Sequence, residues 1–248
     1  MSLIILNVVA AFMLLGMAYR GPAAQRAYAL ARKDPKNFTG GILLVACEPE
    51  LLKMTDEQRK WLEANNWKVV FTGVGKVLSA VKTTATLLRY PNAKAVVNVG
   101  TCGSQTLPKG ALVIPDMAAQ RDMDATLIMR AFVPDFPKHL TPFTEEIFRK
   151  IDLSNFVLPT GVRAIVGGKV GTGDNTHAHL EESDFLWDCV EMELAAILAA
   201  FAEVGHRAKF LAFKWVSDTA DENAGEDWHE NADGIPLGDI IKLLAANF

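Results

Sequence analysis

A chain of 248 residues, half of them apolar, is long enough to bury one large core, and α/β folds of this size are commonly single domains. The formal net charge is −4, and no lysine or arginine cluster has the density or aromatic interleaving that phosphate-backbone binding requires, which excludes nucleic acid as an expected partner. The three scattered cysteines, Cys47, Cys102 and Cys189, exclude a disulfide framework or a thiolate metal site, fit a reducing compartment, and read as small buried apolar side chains.

The first element in chain order is "LIILNVVAAFMLLGMAY", Leu3 to Tyr19, 17 residues without a charge and at the short edge of what spans a bilayer. The basic n-region of a secretory signal is missing, Asn7 interrupts the run, and Arg20, Arg26, Arg32 and Lys33 follow before the first acid, Asp34. An anchor, a targeting peptide and a helix packed on the domain all remain open, so residues 1–37 are set apart from a catalytic domain over 38–248. A membrane is expected as a partner only through residues 3–19, and the cytoplasm is the expected location unless that segment anchors or exports the chain.

From there, continuous apolar runs rich in β-branched residues recur as "GILLVA" from Gly41, "WKVVFT" from Trp67, "AKAVVNVG" from Ala93, "ALVIPD" from Ala111, "RAIVGGKV" from Arg163 and "KFLAFKWV" from Lys209. Runs without alternation predict strands buried on both faces. Helical patterns separate several of them: "TDEQRKWLEAN" with Thr55 as N-cap, "GKVLSAVKTTATLLRY", and "DFLWDCVEMELAAILAAFAEVG" read as one long helix stopped by Gly205. The alternation predicts a three-layer α/β/α domain with a mixed, largely parallel central sheet.

Ligands of open α/β sheets sit beyond the carboxyl ends of the strands. There the chain offers Glu48 and Glu50 in "CEPE", the small residues of "GTCGS", Asp174 in "GTGDN", and Ser217 and Asp218, while "VEME" adds Glu191 and Glu193. Each has a plainer reading as a turn, a cap or a solvated charge. "GVGK", Gly73 to Lys76, lacks the third glycine of a dinucleotide fingerprint, and "HAH", His177 to His179, lacks a third strong ligand, so no metal and no cofactor is expected. Lys214 lies inside a buried strand, where an ammonium must be paired. Read on one helix, Glu191 and Glu193 point to different faces, which predicts that one pairs structurally with Lys214 and the other is free for a ligand.

"ACEPELL", "TGVGKVLSAVKTTATLL", "VVNVGTCGS", "DMDAT", "GTGDNT", "VEMELAAI" and "WVSDTAD" occur in the order of the nucleoside phosphorylase and nucleosidase superfamily. From about Gly41 to the last helix the chain most resembles the 5′-methylthioadenosine/S-adenosylhomocysteine nucleosidases. The resemblance implies that Asp218 is the general acid protonating purine N7, and that Glu50 activates the attacking water. It further implies that Glu193 holds the ribose hydroxyls, with Met192 beneath the sugar, Thr101 at the ribosyl site and Trp228 closing over the ligand. Cys102 and Gly103, Thr176 and His177 (where relatives place a phenylalanine against the purine) and Ser217 complete the expected substrate-binding set. Lys214 replaces the usual arginine of its strand.

Such chemistry passes through an oxocarbenium-like transition state and needs an acid for the leaving group and a base for water. Asp218 is then expected to be buried and Glu50 to be in wetter surroundings. Asn98 stands where phosphorolytic relatives carry an arginine, which favours water over phosphate as nucleophile, with Lys76 and Arg121 left as available cations. The resemblance also implies a homodimer, with "ATLIMRAF", Ala125 to Phe132, either reaching a neighbouring subunit or forming ordinary core. A phosphate-dependent phosphorylase and a non-catalytic nucleoside-binding protein are the alternatives.

Overall fold

Ten strands form one mixed sheet among the described residues of the computed structural model, which are 35–135, 149–175 and 187–248. In chain order the elements are β1 (Gly41–Val45), α1 (Asp56–Ala64), β2 (Trp67–Phe71), α2 (Lys76–Arg89), β3 (Ala95–Gly103), β4 (Leu112–Ile114), β5 (Met117–Gln120) and α3 (Thr126–Met129). They continue with β6 (Arg149–Lys150), β7 (Ile165–Val166), β8 (Lys169–Thr172), β9 (Cys189–Glu191), α4 (Leu194–Val204), β10 (Lys209–Asp218), α5 (Ala224–Asn231) and α6 (Leu237–Asn247). One contact unit runs from Phe38 to Phe248. The hydrophobic stretch 3–19 lies outside the described residues, and within them no helix is long and apolar enough to cross a membrane.

Strands β2, β1, β3 and β10 pair in parallel in that order. To β10 is added antiparallel β4, and parallel to it β7. On the other side β9 meets the end of β3 antiparallel at Gly103 and Val190, followed by parallel β8 and β5 and antiparallel β6. Every residue of β1 is buried, as are nearly all of β3 and β10. Burying each such Val, Leu or Ile contributes roughly 1.5–3 kcal/mol relative to exposure, which explains the uninterrupted apolar runs. Helices α2 and α4 pack together, and α1 packs against β2 and α6, completing the three-layer α/β/α architecture expected from the alternation.

Local chemistry sets the element ends. Thr55 Oγ1 accepts the Gln58 N–H at 3.2 Å while Gln58 Oε1 accepts the Thr55 N–H at 2.9 Å, a reciprocal cap that starts α1. Gly205, in the left-handed region at φ 62°, ends α4.

Two sequence expectations are corrected. "RAIVGGKV" is not one strand: Gly167 and Gly168 adopt φ of 90° and 133°, open to glycine, and turn the chain so that β7 joins β4 while β8 joins β5. "DFLWDCVEMELAAILAAFAEVG" is not one long helix either. Cys189–Glu191 form β9 and the helix begins only at Leu194. The apolar content there meets strand and helix requirements equally, so hydrophobicity alone does not place the boundary.

Candidate active site

The register creates a step. Val45, the last residue of β1, pairs with Val99, yet β3 continues to Gly103 and β10 to Asp218. Into the space beyond β1 folds a 3-10 turn, Glu48–Leu51. Glu50 is its third residue, and its carboxylate reaches back to the turn's own entry, accepting the Ala46 N–H at 3.1 Å and the Cys47 N–H at 3.4 Å on Oε2. Oε1 accepts the Thr101 N–H at 2.7 Å and the Thr101 hydroxyl at 3.0 Å. Thr101 Oγ1 in turn accepts the indole N–H of Trp228 at 2.9 Å.

Asp218 closes β10. A register shift between Val216 and Asp218 makes Ser217 the bulged residue and sets Asp218 opposite Gly103. Only glycine fits there: a Cβ on Gly103 would lie 2.2 Å from Asp218 Oδ1. Ser217 Oγ donates to Asp218 Oδ2 at 2.8 Å, and the Ala220 N–H to Oδ1 at 2.9 Å.

The two glutamates of "VEME" part at the junction of β9 and α4. Glu191 accepts from the Lys214 ammonium at 2.8 Å and from the N–H groups of Glu193 and Leu194, with Thr172 Oγ1 as a further donor. Glu193, at the helix N-cap position, points elsewhere, and its Oε1 accepts the Gly75 N–H at 2.9 Å. The expected division of labour holds for Lys214, although the reason is a strand-to-helix corner rather than two faces of a helix.

These side chains line one cavity of about 260 Å³, near the lower end of small-molecule sites and too small for a polymer. Glu50, Glu193, Asp218, Met192, Thr101, Cys102, Gly103 and Trp228 all contribute to its wall. Ser217 touches it only through Asp218. Thr176 and His177 lie outside the described residues, as does His179. Among the described residues no group of three or more His, Cys, Asp or Glu is placed to hold a metal.

Burial dominates the electrostatics. It pushes the Asp218 carboxyl up, with the Ser217 and Ala220 donors opposing and Asp227 and Asp221 adding repulsion. Glu193 is pushed up to about 8 by burial and by the charge of Glu191, against Lys214 and the Gly75 N–H. Glu50 is not in wet surroundings, contrary to expectation: it is 4% exposed, and burial raises its carboxyl. What holds its charged form is the set of N–H donors, Thr101 foremost, with the nearby Lys214 charge. The turn that carries Glu50 is local, and its depth is set by the overrun of β3, which a single segment does not reveal. Cys47 at the cavity wall is raised to about 12 by burial and by Glu50, which leaves it a thiol.

Other expectations fail as well. Lys76 is not an available cation, because its ammonium is bound by Asp122 and approaches Gln120 Oε1 at 3.4 Å and Asp174 Oδ2 at 3.8 Å. The Arg121 guanidinium donates to the Asn175 carbonyl, which does not neutralise it, and it lines the cavity, so this second cation stays at the wall. "ATLIMRAF" is not ordinary core: Leu127 is 94% exposed, and Ile128 and Phe132 are exposed too. "GTCGS" is no tight turn, since β3 runs through Gly103. Sequence reasoning also missed Gly75, whose N–H fixes Glu193. The signal was a glycine directly before a helical period, in a motif dismissed for its missing third glycine. Val74, Asn175 and Val190 join Arg121 in the cavity wall without any sequence signal.

A long parallel-rich sheet with a carboxylate-lined cavity beyond its strand ends is the arrangement in which α/β folds bind small molecules. The family model of the phosphorylase superfamily matches residues 61–235, well over half of the chain, and the chain belongs to that superfamily. Within it the chain is similar to the nucleosidases, enzymes that cleave N-ribosyl bonds: it is 31% identical over 182 residues to the 5′-methylthioadenosine/S-adenosylhomocysteine nucleosidase of Bacillus subtilis (strain 168), a match covering 65% of this chain and 70% of that protein. In fold it matches the Helicobacter pylori nucleosidase of the same name solved with butyl-thio-DADMe-Immucillin-A, with a TM-score of 0.67, 22% identity, and 85% of this chain and 98% of that one covered. It also matches the futalosine hydrolase of Helicobacter pylori strain 26695, with a TM-score of 0.66, 19% identity, and coverage of 84% and 97%.

Proposed function

We propose that the protein hydrolyses the N-glycosidic bond of a purine nucleoside bearing an apolar 5′ substituent, methylthioadenosine or S-adenosylhomocysteine in type. The observation that carries this reading is the convergence of Asp218, Glu50 and Glu193, remote in sequence and all buried, on the wall of one small cavity. In this reading Asp218 keeps its proton because burial disfavours its charge, and gives it to N7 of the departing base. Glu50 takes a proton from water. Its Oε2 makes the longer contacts, at 3.1 and 3.4 Å, and is the less tightly held of the two oxygens. Glu193 accepts from the ribose hydroxyls, and Met192 packs beneath the sugar.

Water rather than phosphate is favoured as the nucleophile. Asn98 is buried with its amide on the Leu44 carbonyl, and it supplies no charge. Lys76 is neutralised by Asp122, and the acidic turn at Glu48–Leu51 repels an anion. Incubation with a panel of purine nucleosides, with and without phosphate, tests the reading. Free ribose products in both conditions support it. Dependence on phosphate with release of ribose 1-phosphate favours a phosphorylase, and binding without turnover favours a nucleoside-binding protein. A panel that includes futalosine-like 6-oxopurine nucleosides tests the base.

The proposal extends to a homodimer. α2 turns Val77, Leu78, Val81 and Leu88 outward, and Val77 is 72% exposed. Val74, partly exposed, borders both this apolar face and the cavity. A second copy of the chain seated there would cover the face and complete the cavity mouth. The three unbridged cysteines fit a cytoplasmic setting for the catalytic domain.

A further inference from the structure

We propose that the indole N–H of Trp228 fixes the direction of the Thr101 hydroxyl and so keeps Glu50 a proton acceptor, which makes Trp228 a positioning residue for the base. The inference rests on the proposed role of Glu50. Two hydrogen bonds in series carry it: Trp228 Nε1 to Thr101 Oγ1 at 2.9 Å and Thr101 Oγ1 to Glu50 Oε1 at 3.0 Å.

A threonine hydroxyl has one proton and can turn it toward any acceptor within reach. The indole N–H can only donate. Thr101 Oγ1 therefore accepts from Trp228, its own proton is directed away from the indole, and Glu50 Oε1 receives it. Oε1 then faces two donors, the Thr101 N–H and O–H, as Oε2 faces the Ala46 and Cys47 N–H groups, so a proton on either oxygen would meet like partners, most closely on Oε1. The arrangement favours the ionised carboxylate against the burial that opposes it. The residue responsible sits on α5, which also supplies Ala224 and Gly225 to the cavity wall. Seating of this helix is thereby linked to the state of the base. A phenylalanine could close the cavity equally well but could not set the hydroxyl.

The experiment is the pH profile of kcat for purine nucleoside hydrolysis by the full chain. Trp228→Phe keeps the ring and removes the donor. It is expected to move the acidic limb of kcat up by about half to one pH unit and to lower kcat about 3–10-fold on that limb, with KM changed less than about twofold; one net hydrogen bond sets this scale. Thr101→Val keeps the side-chain volume and the Trp228 ring but removes both the acceptor of the indole N–H and the donor to Glu50, so it reads the same link should the phenylalanine variant fold poorly, and an upward shift at least as large is expected. Combining the two should add nothing further, and Thr101→Ser should restore the wild-type limb. An unmoved limb in Thr101→Val, or shifts that sum in the double variant, overturns the inference. Glu50→Gln separates the two levels. If it turns over normally, the base assignment itself is wrong. If it is inactive while Thr101→Val and Trp228→Phe keep the wild-type limb, only the positioning role is wrong.

Discussion

The Lys214 ammonium lies 2.8 Å from Glu191 Oε2, with both side chains almost wholly buried and Glu191 in the cavity lining. Neither group could be carried alone at that depth. Glu191 also accepts the first N–H groups of α4 through its carboxylate, so the pair joins β10, β9 and the start of the helix that bears Glu193. The charge in an otherwise apolar strand therefore braces this corner, and it also favours the charged forms of Glu50 and Glu193 directly.

Lys214→Met removes the cation and leaves Glu191 buried without its charge partner. Unfolding in urea should show a loss of about 3–5 kcal/mol, the usual consequence of stranding one member of a buried pair. Adding Glu191→Gln should recover part of it, because the amide oxygen can still accept the N–H groups. A single variant within about 1 kcal/mol of wild type would show that the pair does not hold the corner.

Asp218→Asn retains shape and hydrogen-bonding capacity but has no proton to give to a leaving base. Turnover should fall by about 10²–10⁴-fold with nucleoside affinity kept, as read by single-turnover kinetics beside equilibrium binding. Near-normal rates would remove the acid assignment.

Much of this site could be read from residue order, and the particular failures share a cause. Asp218 was legible because β10 is a long apolar run with an abrupt acidic end, and Lys214 because a charge in such a run demands a partner. Glu193 was found even though its helix was misdrawn, since the corner after β9 separates it from Glu191 as effectively as a helix face would. Burial of Glu50 was not legible: it depends on β3 overrunning β1, a relation between segments more than fifty residues apart. Lys76 looked like an available cation for the same reason, its partner Asp122 being set by tertiary placement. The exposed "ATLIMRAF" shows the reverse error, an apolar segment that leaves Leu127, Ile128 and Phe132 open to solvent.

Glu193 links the site to stability. Its carboxyl rises from an ordinary 4.5 to about 8 on folding. Between those values the folded state binds more protons at this site than the unfolded one, so the contribution of Glu193 to stability is fullest below about pH 4.5 and declines as pH rises toward 8. Glu193→Gln should flatten this part of the profile in urea titrations from pH 5 to 9. An unchanged slope would show that Glu193 is not the group responsible.

Val81→Glu places a charge in the middle of the exposed face of α2. If two copies meet there, sedimentation velocity should find dimers for the wild type and monomers for the variant, with weakened nucleoside binding because the cavity mouth is left open. A wild-type monomer, or a variant dimer, would contradict that interface.

The origin of the oxygen in the sugar product is the most direct test of the whole account. Turnover of a 5′-alkylthio purine nucleoside in ¹⁸O-water with phosphate present should yield free sugar carrying the label at its anomeric carbon, since Glu50 is taken to activate water. Unlabelled sugar 1-phosphate, or intact nucleoside after long incubation with the cavity occupied, would contradict it.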